Sequence, residues 1–231
     1  MKKWVKILLI VIAVLIALTA GLAIWQWNNI IAILTTVTKT EIEIAAELDS
    51  SKEKLESEIK EKFDANLVSD FTSEEERLII KGEISAEDAV KMLEEKRSET
   101  QTNKKTHPED NKNKDEIVEQ LIGDKVIELY SMKAFYLGKL GQIEAKVRKE
   151  YAQLPKEKKN LIGKKDLATK YMGTATSLLK QCDTEVGKLI ADLEKELKKF
   201  KADTSIIKTI KDAYENEKAL KKAYYLKLLG E

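Results

Sequence analysis

Residues 118–154 read VEQLIGDKVIELYSMKAFYLGKLGQIEAKVRKEYAQL, and this stretch decides the fold. Apolar or aromatic residues stand at positions 118, 122, 126, 129, 132, 136, 140, 143, 147, 151 and 154. Their mean spacing of about 3.6 residues is the period of an α-helix. The stretch therefore predicts one long amphipathic helix. It should end at Leu154-Pro155, because proline removes a backbone donor and restricts the residue before it.

Two further helices are predicted after this one. The second carries two seams of seven-residue spacing, which is typical of coiled-coil packing. One seam is Ala168, Ala175, Cys182 and Leu189, and the other is Met172, Leu179, Val186 and Leu193. A cap at Asp203, Thr204 or Ser205 starts the third helix, whose stripe is Ile206, Ile210, Ala213, Leu220 and Tyr224. We predict that residues 115–231 form an elongated antiparallel three-helix bundle.

The composition favours an all-α protein and argues against a nucleic-acid partner. Of the 231 residues, 35% are charged and only 9 are Gly and 2 are Pro, which is typical of long helices with few turns. The formal net charge is +1, and the arginines are only Arg77, Arg97 and Arg148. Neither the charge balance nor the arginine content suits the reading of phosphates and bases, so we expect no nucleic-acid binding.

Near the N-terminus, the run Ile7 to Trp25 (ILLIVIAVLIALTAGLAIW) contains no charged residue. At 1.5 Å per residue it is about 28 Å long, which matches the hydrocarbon thickness of a bilayer. Trp4, Trp25 and Trp27 flank the run, where indole rings favour the headgroup level. We predict a transmembrane signal anchor over residues 1–27, with the lipid bilayer as a partner. A cleaved signal peptide is the alternative.

The charges around this run predict its orientation. Lys2, Lys3 and Lys6 precede it, and no charge follows it until Lys39. The positive-inside rule then keeps the N-terminus in the cytoplasm of a single-pass protein of the cell membrane, with the helical bundle on the extracytoplasmic side.

Residues 28–68 predict a stalk helix. Ile30, Leu34, Val37, Ile44, Leu48, Leu55 and Ile59 recur mostly three, four or seven residues apart. Two alternatives stay open for this stripe. It packs on the rest of its own chain, or it pairs with a second copy in a coiled coil and makes a homo-oligomer.

A small helical hairpin is predicted over residues 69–96. Thr72 or Ser73 can cap its first helix with Glu75 or Glu76 reaching back, Gly82 ends that helix, and Ser85 with Asp88 starts the second. Residues 74–96, EEERLIIKGEISAEDAVKMLEEK, resemble the helical hairpins called SHOCT modules with their G-x-I-S/T-x-E turn. The resemblance implies an interaction or oligomerisation role, carried by Leu78, Ile79, Ile84, Ala89 and Leu93.

Residues 97–114, RSETQTNKKTHPEDNKNK, have no aliphatic or aromatic side chain to bury. They predict a disordered linker that divides the chain into two units. This stretch also contains the single histidine, His107. Catalytic triads need an oriented imidazole, and zinc sites need several Cys and His ligands, so we predict no catalysis, no metal and no cofactor. Cys182, on the core seam, is predicted to be a buried structural thiol.

The last helix carries the candidate interaction residues Tyr214, Glu217, Lys221, Tyr224 and Tyr225. Glu217 and Lys221 read most simply as an i to i+4 ion pair on a helix surface. The alternatives are a polar register key that faces Tyr136 or Tyr171, and a contact surface for a protein partner.

The whole chain resembles the single-pass, membrane-anchored helical proteins of Lys-rich bacteria, a resemblance that implies no activity. We predict a cell-envelope protein that presents its bundle as a scaffold or protein-interaction module. One alternative is an envelope receptor or enzyme whose pocket is lined by Tyr130, Tyr136, Tyr171 and Tyr224. The other is inverted topology, with the bundle as a cytoplasmic division or secretion adaptor.

Overall fold

A computed structural model describes residues 40–63, 68–101 and 114–230. All regular structure in these ranges is helical, which confirms the all-α prediction. The helices are α1 (Glu41–Phe63), α2 (Ser73–Lys81), α3 (Ala86–Gln101), α4 (Lys114–Gln153), α5 (Leu161–Lys199) and α6 (Ser205–Gly230), with a short 3₁₀ helix (Lys156–Lys158) between α4 and α5.

The predicted anchor, with Trp4, Ile7, Trp25 and Trp27, and the orienting residues Lys2, Lys3 and Lys6 lie outside the described residues. Within the described ranges, none of the helices combines the length and the apolar character that a membrane crossing requires.

Helices α4, α5 and α6 follow one another in alternating directions, and α5 packs on both α4 and α6. The predicted closed three-helix bundle is corrected, because α4 and α6 make few contacts with each other and α6 packs more extensively on α1. Near the α4/α5 turn, Lys170 Nζ lies 2.6 Å from a Glu150 carboxylate oxygen. Between α5 and α6, the Tyr214 hydroxyl donates to Asp183 at 2.7 Å. α4 ends at Gln153, just before the Leu154-Pro155 step, as the proline argument predicts. Asn160, which the sequence argument missed, caps α5 through its side-chain oxygen.

The α2/α3 hairpin forms as predicted and packs on α4. Thr72 caps α2 in a capping box with Glu75, and Gly82 ends α2 in the left-handed conformation with φ 74°. Gly141 of α4 lies directly against this hairpin, because a Cβ built at Gly141 would stand 1.8 Å from the Ile80 carbonyl oxygen. The hairpin and α4 therefore approach to backbone contact at one point. The apolar residues of the hairpin face the same core, in which Ile79, Ala89 and Leu93 are buried.

Of the two alternatives for residues 28–68, the described part shows the first, because α1 packs along α6 of its own chain. Ile44 forms a buried cluster with Leu220 and Ala223, and the Asn216 side chain donates to Ser51 at 3.1 Å. The free-standing stalk is corrected accordingly for residues 41–63. The sequence stripe marked a buried face but did not specify which surface covers it.

The expected division into two units also changes, because one core cluster joins residues from α1 to α6. Ile59, Phe71 and Leu93 lie in it together with Val126 and Leu193. The predicted linker of residues 97–114 is helical at both of its described ends, because α3 continues to Gln101 and α4 begins at Lys114, and Arg97 pairs with Asp124 of α4. Residues 102–113 lie outside the described residues.

Candidate functional site

The centre of the molecule holds a lysine in a core position. Lys133 lies on a second buried face of α4, between Tyr130, Ala134 and Leu137. This face exists because α4 is covered on one side by the hairpin and on another by α5. The side chain of Lys133 is only 12% exposed. A buried ammonium needs charged partners, since burial of an unpaired charge costs several kcal/mol.

Three carboxylates from three different parts of the chain supply these partners. Lys133 Nζ lies 2.6 Å from Asp70 Oδ2, 2.6 Å from Glu76 Oε1 and 2.7 Å from Glu217 Oε1. The contact with Asp70 is a hydrogen bond, whereas the other two have the distance of an ion pair without the angle of a hydrogen bond. Lys133 thereby joins the segment before α2, α2 itself and α6.

Two further lysines extend this arrangement, which we call the charge cluster: Lys52, Asp70, Glu76, Lys133, Glu217 and Lys221. Lys52 Nζ of α1 lies 2.8 Å from Glu76 Oε1 and donates to the Phe71 carbonyl oxygen at 2.9 Å. Lys221 Nζ of α6 lies 2.5 Å from Glu76 Oε2 and 3.4 Å from Glu217 Oε1. The charge cluster thus contains three lysines and three carboxylates, each in contact with at least one group of opposite charge, so its charges balance inside the fold.

Asp70 has fewer partners than the two glutamates. Its side chain is 5% exposed, and Lys133 is its only ion-pair partner among the described residues. Its other carboxylate oxygen accepts from the Phe71 backbone amide at 2.7 Å, and its own backbone amide donates to Glu56 at 2.7 Å. The charge of Asp70 therefore depends on Lys133 more than the charge of Glu76 does.

The pKa values reflect these differences. Burial alone would lower the pKa of Lys133, but the carboxylates of Glu217, Asp70 and Glu76 raise it well above its ordinary value. Burial alone would raise the pKa of Glu76 and of Glu217, but Lys133 and Lys221 lower both. For Asp70 burial prevails, and its pKa is raised despite Lys133. Lys133 stays protonated at neutral pH, which does not suit a nucleophilic amine.

The carboxylates of the charge cluster have the spacing of a cation site. One oxygen each of Asp70, Glu76 and Glu217 lies within 4.8 Å of the other two. Hard cations such as Mg²⁺ or Ca²⁺ take oxygen ligands of this kind. Here the Lys133 ammonium contacts all three carboxylates and supplies the positive charge. The three carboxylates and the Lys133 ammonium therefore form a structural ion-pair centre from the chain's own residues.

Beside the charge cluster lies a cavity of about 950 Å³, bounded by α1, α4, α5 and α6. Its wall is mainly apolar and includes Leu48, Leu129, Leu140, Leu179, Val186 and Ile210. It extends along α5 from Met172 to Val186, which corresponds to about 21 Å of helix. Its volume and apolar wall are those of a small-molecule site, for which about 300–1,000 Å³ is usual.

Polar groups stand at the middle of this cavity. Tyr136 lines it and is 8% exposed, and its buried hydroxyl makes no hydrogen bond of close geometry, although the Glu185 carboxylate lies near enough to serve as its acceptor. Burial and the nearby carboxylate of Glu185 raise the pKa of Tyr136. Tyr214 also lines the cavity, but its hydroxyl donates to Asp183 at 2.7 Å. A buried hydroxyl without a well-formed hydrogen bond is costly, so the hydroxyl of Tyr136 needs either the Glu185 carboxylate or a bound molecule as its acceptor.

The cavity wall carries more positive than negative charge, with six lysines against four carboxylates. Four of the lysines have acidic partners: Lys52, Lys133 and Lys221 in the charge cluster, and Lys218 with Asp183 at 2.9 Å. The remaining two, Lys180 and Lys222, have no ion-pair partner within the described ranges, and they are discussed below.

The structure places most of the candidate interaction residues against the chain itself. Tyr214 bonds to Asp183, Glu217 and Lys221 belong to the charge cluster, and Tyr224 packs beside Ile44. Tyr225 lies in α6, and its side chain is outside the described residues. Glu217 does pair with Lys221, as predicted, but its shorter contact is with Lys133 and not with Tyr136 or Tyr171. Lys133 was not predicted as a site residue, because in the sequence it is a single lysine beside the apolar stripe of α4.

The tyrosines proposed for a pocket divide into two pairs. Tyr130 and Tyr136 line the cavity. Tyr171 donates to Glu150 at 2.6 Å near the α4/α5 turn, and Tyr224 lies in the cluster of α1 and α6. Cys182 also lines the cavity and is half-buried, not fully buried as predicted. Burial raises the pKa of its thiol, in agreement with a thiol of low reactivity.

Comparison of the chain with protein-family models, with curated protein sequences and with solved structures gives no match.

Proposed function

We propose that this chain is a membrane-anchored, non-catalytic binding protein of the cell envelope, and that the cavity between α1, α4, α5 and α6 is its ligand site. The observation that carries the proposal is the cavity itself, of about 950 Å³ and partly open to solvent, with a mainly apolar wall. A cavity of this volume, with an apolar wall and a few polar groups such as the hydroxyl of Tyr136, favours a binding role.

The anchoring part of the proposal rests on residues 7–25 and on the lysines before them. The binding part replaces the scaffold as the leading role, because the side chains expected to meet a protein partner pack against their own chain instead. The non-catalytic part rests on the charge cluster, whose ammonium and carboxylates neutralise one another.

Small-molecule extraction from the purified protein tests this proposal. Full-length protein and the variant Ala175→Trp are purified in parallel, because Ala175 lines the cavity and tryptophan would fill part of it. The control is Ala191→Trp, the same substitution at an exposed position of α5 outside the cavity wall. We expect mass spectrometry to find a molecule that co-purifies with the wild type and the control and is depleted from Ala175→Trp. Equal recovery of every extracted molecule from all three would contradict the proposal.

A further inference from the structure

The two unpaired lysines of the cavity wall stand at one level of the α5/α6 pair. Asp183 of α5 pairs with Lys218 of α6, and these helices run in opposite directions. Lys222 follows Lys218 by four residues, and Lys180 precedes Asp183 by three, so each lies about one helical turn from that pair and on the same side of it. Both line the cavity.

The environment of Lys222 shows that its charge is not compensated. Burial, and then repulsion from Lys218, lower the pKa of Lys222. By contrast, the pKa of Lys218 itself is raised, because Glu215 and Asp183 pair with it against the effect of burial. Two neighbouring lysines on one turn of α6 thus differ in whether the fold supplies them with an anion. An anion from outside would give Lys222 the partner that the fold does not supply, and the exposed Lys180 lies at the same level of the cavity wall.

Apolar wall continues from this level along α5. Leu179, Ala175 and Met172 line the cavity at intervals of three or four residues, together with Leu140 of α4. Met172 is 56% exposed, so the apolar wall reaches the surface at this end. From the level of Lys180 to Met172 this wall follows about 12 Å of α5. One leaflet of a bilayer is roughly 15 Å of hydrocarbon, half of the usual thickness, so the wall covers most of a long acyl chain and the end of the chain emerges beside the exposed Met172.

We propose that the ligand of the cavity is an anionic amphiphile of one long apolar chain, with a carboxylate as its head. Lys180 and Lys222 hold the head, and the apolar residues of α4 and α5 cover the chain. This inference rests on the proposed function, because it names the ligand class of the same cavity. Charge complementarity selects the head, and the length and character of the wall select the chain.

Photo-crosslinking of the full-length chain in nanodiscs of zwitterionic lipid tests the inference. The probes are palmitate and hexadecanol, each with a diazirine on the chain, and unlabelled palmitate is the competitor. We expect the palmitate probe to label residues of the cavity wall. In Lys222→Met, the competitor concentration for half displacement should rise about tenfold, the size of one lost charge-assisted contact. In Lys180→Met it should rise less, because Lys180 is exposed to solvent. Lys188→Met, an exposed lysine of α5 outside the cavity wall, should leave it unchanged.

The outcomes separate this inference from the proposed function. If palmitate and hexadecanol label the cavity equally and neither lysine variant matters, the cavity binds apolar molecules and the anionic head is wrong. If neither probe labels the cavity while extraction still yields a cavity-dependent molecule, the ligand class is wrong and the binding role stands. Competition by nanodiscs that contain phosphatidylglycerol would contradict the single-chain carboxylate and point to a two-chain membrane phospholipid, whereas the binding role would stand.

Discussion

Replacement of Lys133 by methionine is the most direct test of the charge cluster. Methionine keeps the unbranched shape of the stem and removes only the ammonium. The three carboxylates that lie 2.6, 2.6 and 2.7 Å from Lys133 Nζ then lose their common partner. Glu76 retains Lys52 and Lys221, whereas Asp70 retains only the Phe71 amide among its described contacts. A buried charge is left without compensation.

The magnitude follows from that asymmetry. Breaking a buried ion pair by removal of one partner costs about 3–5 kcal/mol, because the other charge stays buried. Lys133→Met should therefore lower the free energy of unfolding by about 3–5 kcal/mol, a large part of the roughly 5–15 kcal/mol of a typical domain. Lys146→Met, an exposed lysine of the same helix without an ion pair in the described ranges, should change it by less than about 0.5 kcal/mol.

A second substitution tests the cause of the loss. Lys133→Met combined with Asp70→Asn removes the orphaned charge, so it should recover part of the stability lost in Lys133→Met alone. Acid should have the same effect, since protonation of the unpaired carboxylates relieves their burial. The difference between wild type and Lys133→Met should then shrink as the pH falls from 7 towards 4.

Urea unfolding of the full chain in a mild detergent, followed by circular dichroism at 222 nm, measures these differences. A loss below about 1 kcal/mol in Lys133→Met, the value typical of exposed pairs, would refute the reasoning. It would mean that Lys133 reaches water and that the contacts with Asp70 and Glu217 do not anchor the α4 interface. A full loss that Asp70→Asn does not reduce would locate the defect in packing instead of charge.

Three further predictions concern the packing, the cavity and the pH response. Gly141→Ala should lower the free energy of unfolding in urea by about 1–3 kcal/mol, because its Cβ would meet the Ile80 carbonyl oxygen. Gly138→Ala, whose Cβ would have nothing within 4 Å, should raise it by up to about 1 kcal/mol through helix propensity. Equal effects of the two substitutions would refute the close approach of α4 and the hairpin. Tyr136→Phe should weaken palmitate competition and change the thermal midpoint of the ligand-free protein little, because the Tyr136 hydroxyl makes no hydrogen bond of close geometry. A clearly lower midpoint would show that the hydroxyl is bonded to Glu185 in the folded protein. The pKa of Glu76 is lowered in the folded state, so its contribution to stability is complete above its unfolded pKa of about 4.3 and is lost as the pH falls through the folded pKa. The urea midpoint should therefore stay level from pH 6 to 8 and fall below about pH 4. A midpoint that rises in acid would mean that Asp70 prevails, because its raised pKa acts in the opposite sense.

The sequence predicted most of the helices because their signals are local. The 3.6-residue stripe of α4, the break at Leu154-Pro155 and the Gly82 turn each depend on neighbouring residues, and each lies where it was expected. The docking of α1 on α6 depends on contacts between residues far apart in the chain, and the apolar faces on which α1 could pack are similar in character. Periodicity marks that a face is buried and does not name its partner, so residues 28–68 were predicted as a stalk.

The charge cluster shows the same limit more sharply. Lys133 falls between the stripe residues Met132 and Tyr136, and a lysine beside a stripe usually reaches water. Only the position of the hairpin, which brings Asp70 and Glu76 to that side of α4, turns this lysine inward. Gly141 gave a hint of the hairpin's position, because a glycine inside a helix is costly unless a close approach needs it. The sequence alone did not say which backbone approaches.

The charge cluster and the cavity share residues, so the proposed ligand binding would be coupled to the packing of the chain. Lys133, Glu217 and Lys221 belong to the cluster and also line the cavity. Lys52 adds α1, the helix that follows the predicted anchor, to the same network. A ligand that contacts this wall binds the state in which α1, the hairpin and α6 are all docked, and it stabilises that state by mass action. Loss of Lys133 should therefore weaken ligand binding even though Lys180 and Lys222 remain, because the cavity has its wall only while the cluster holds α6 and the hairpin against α4.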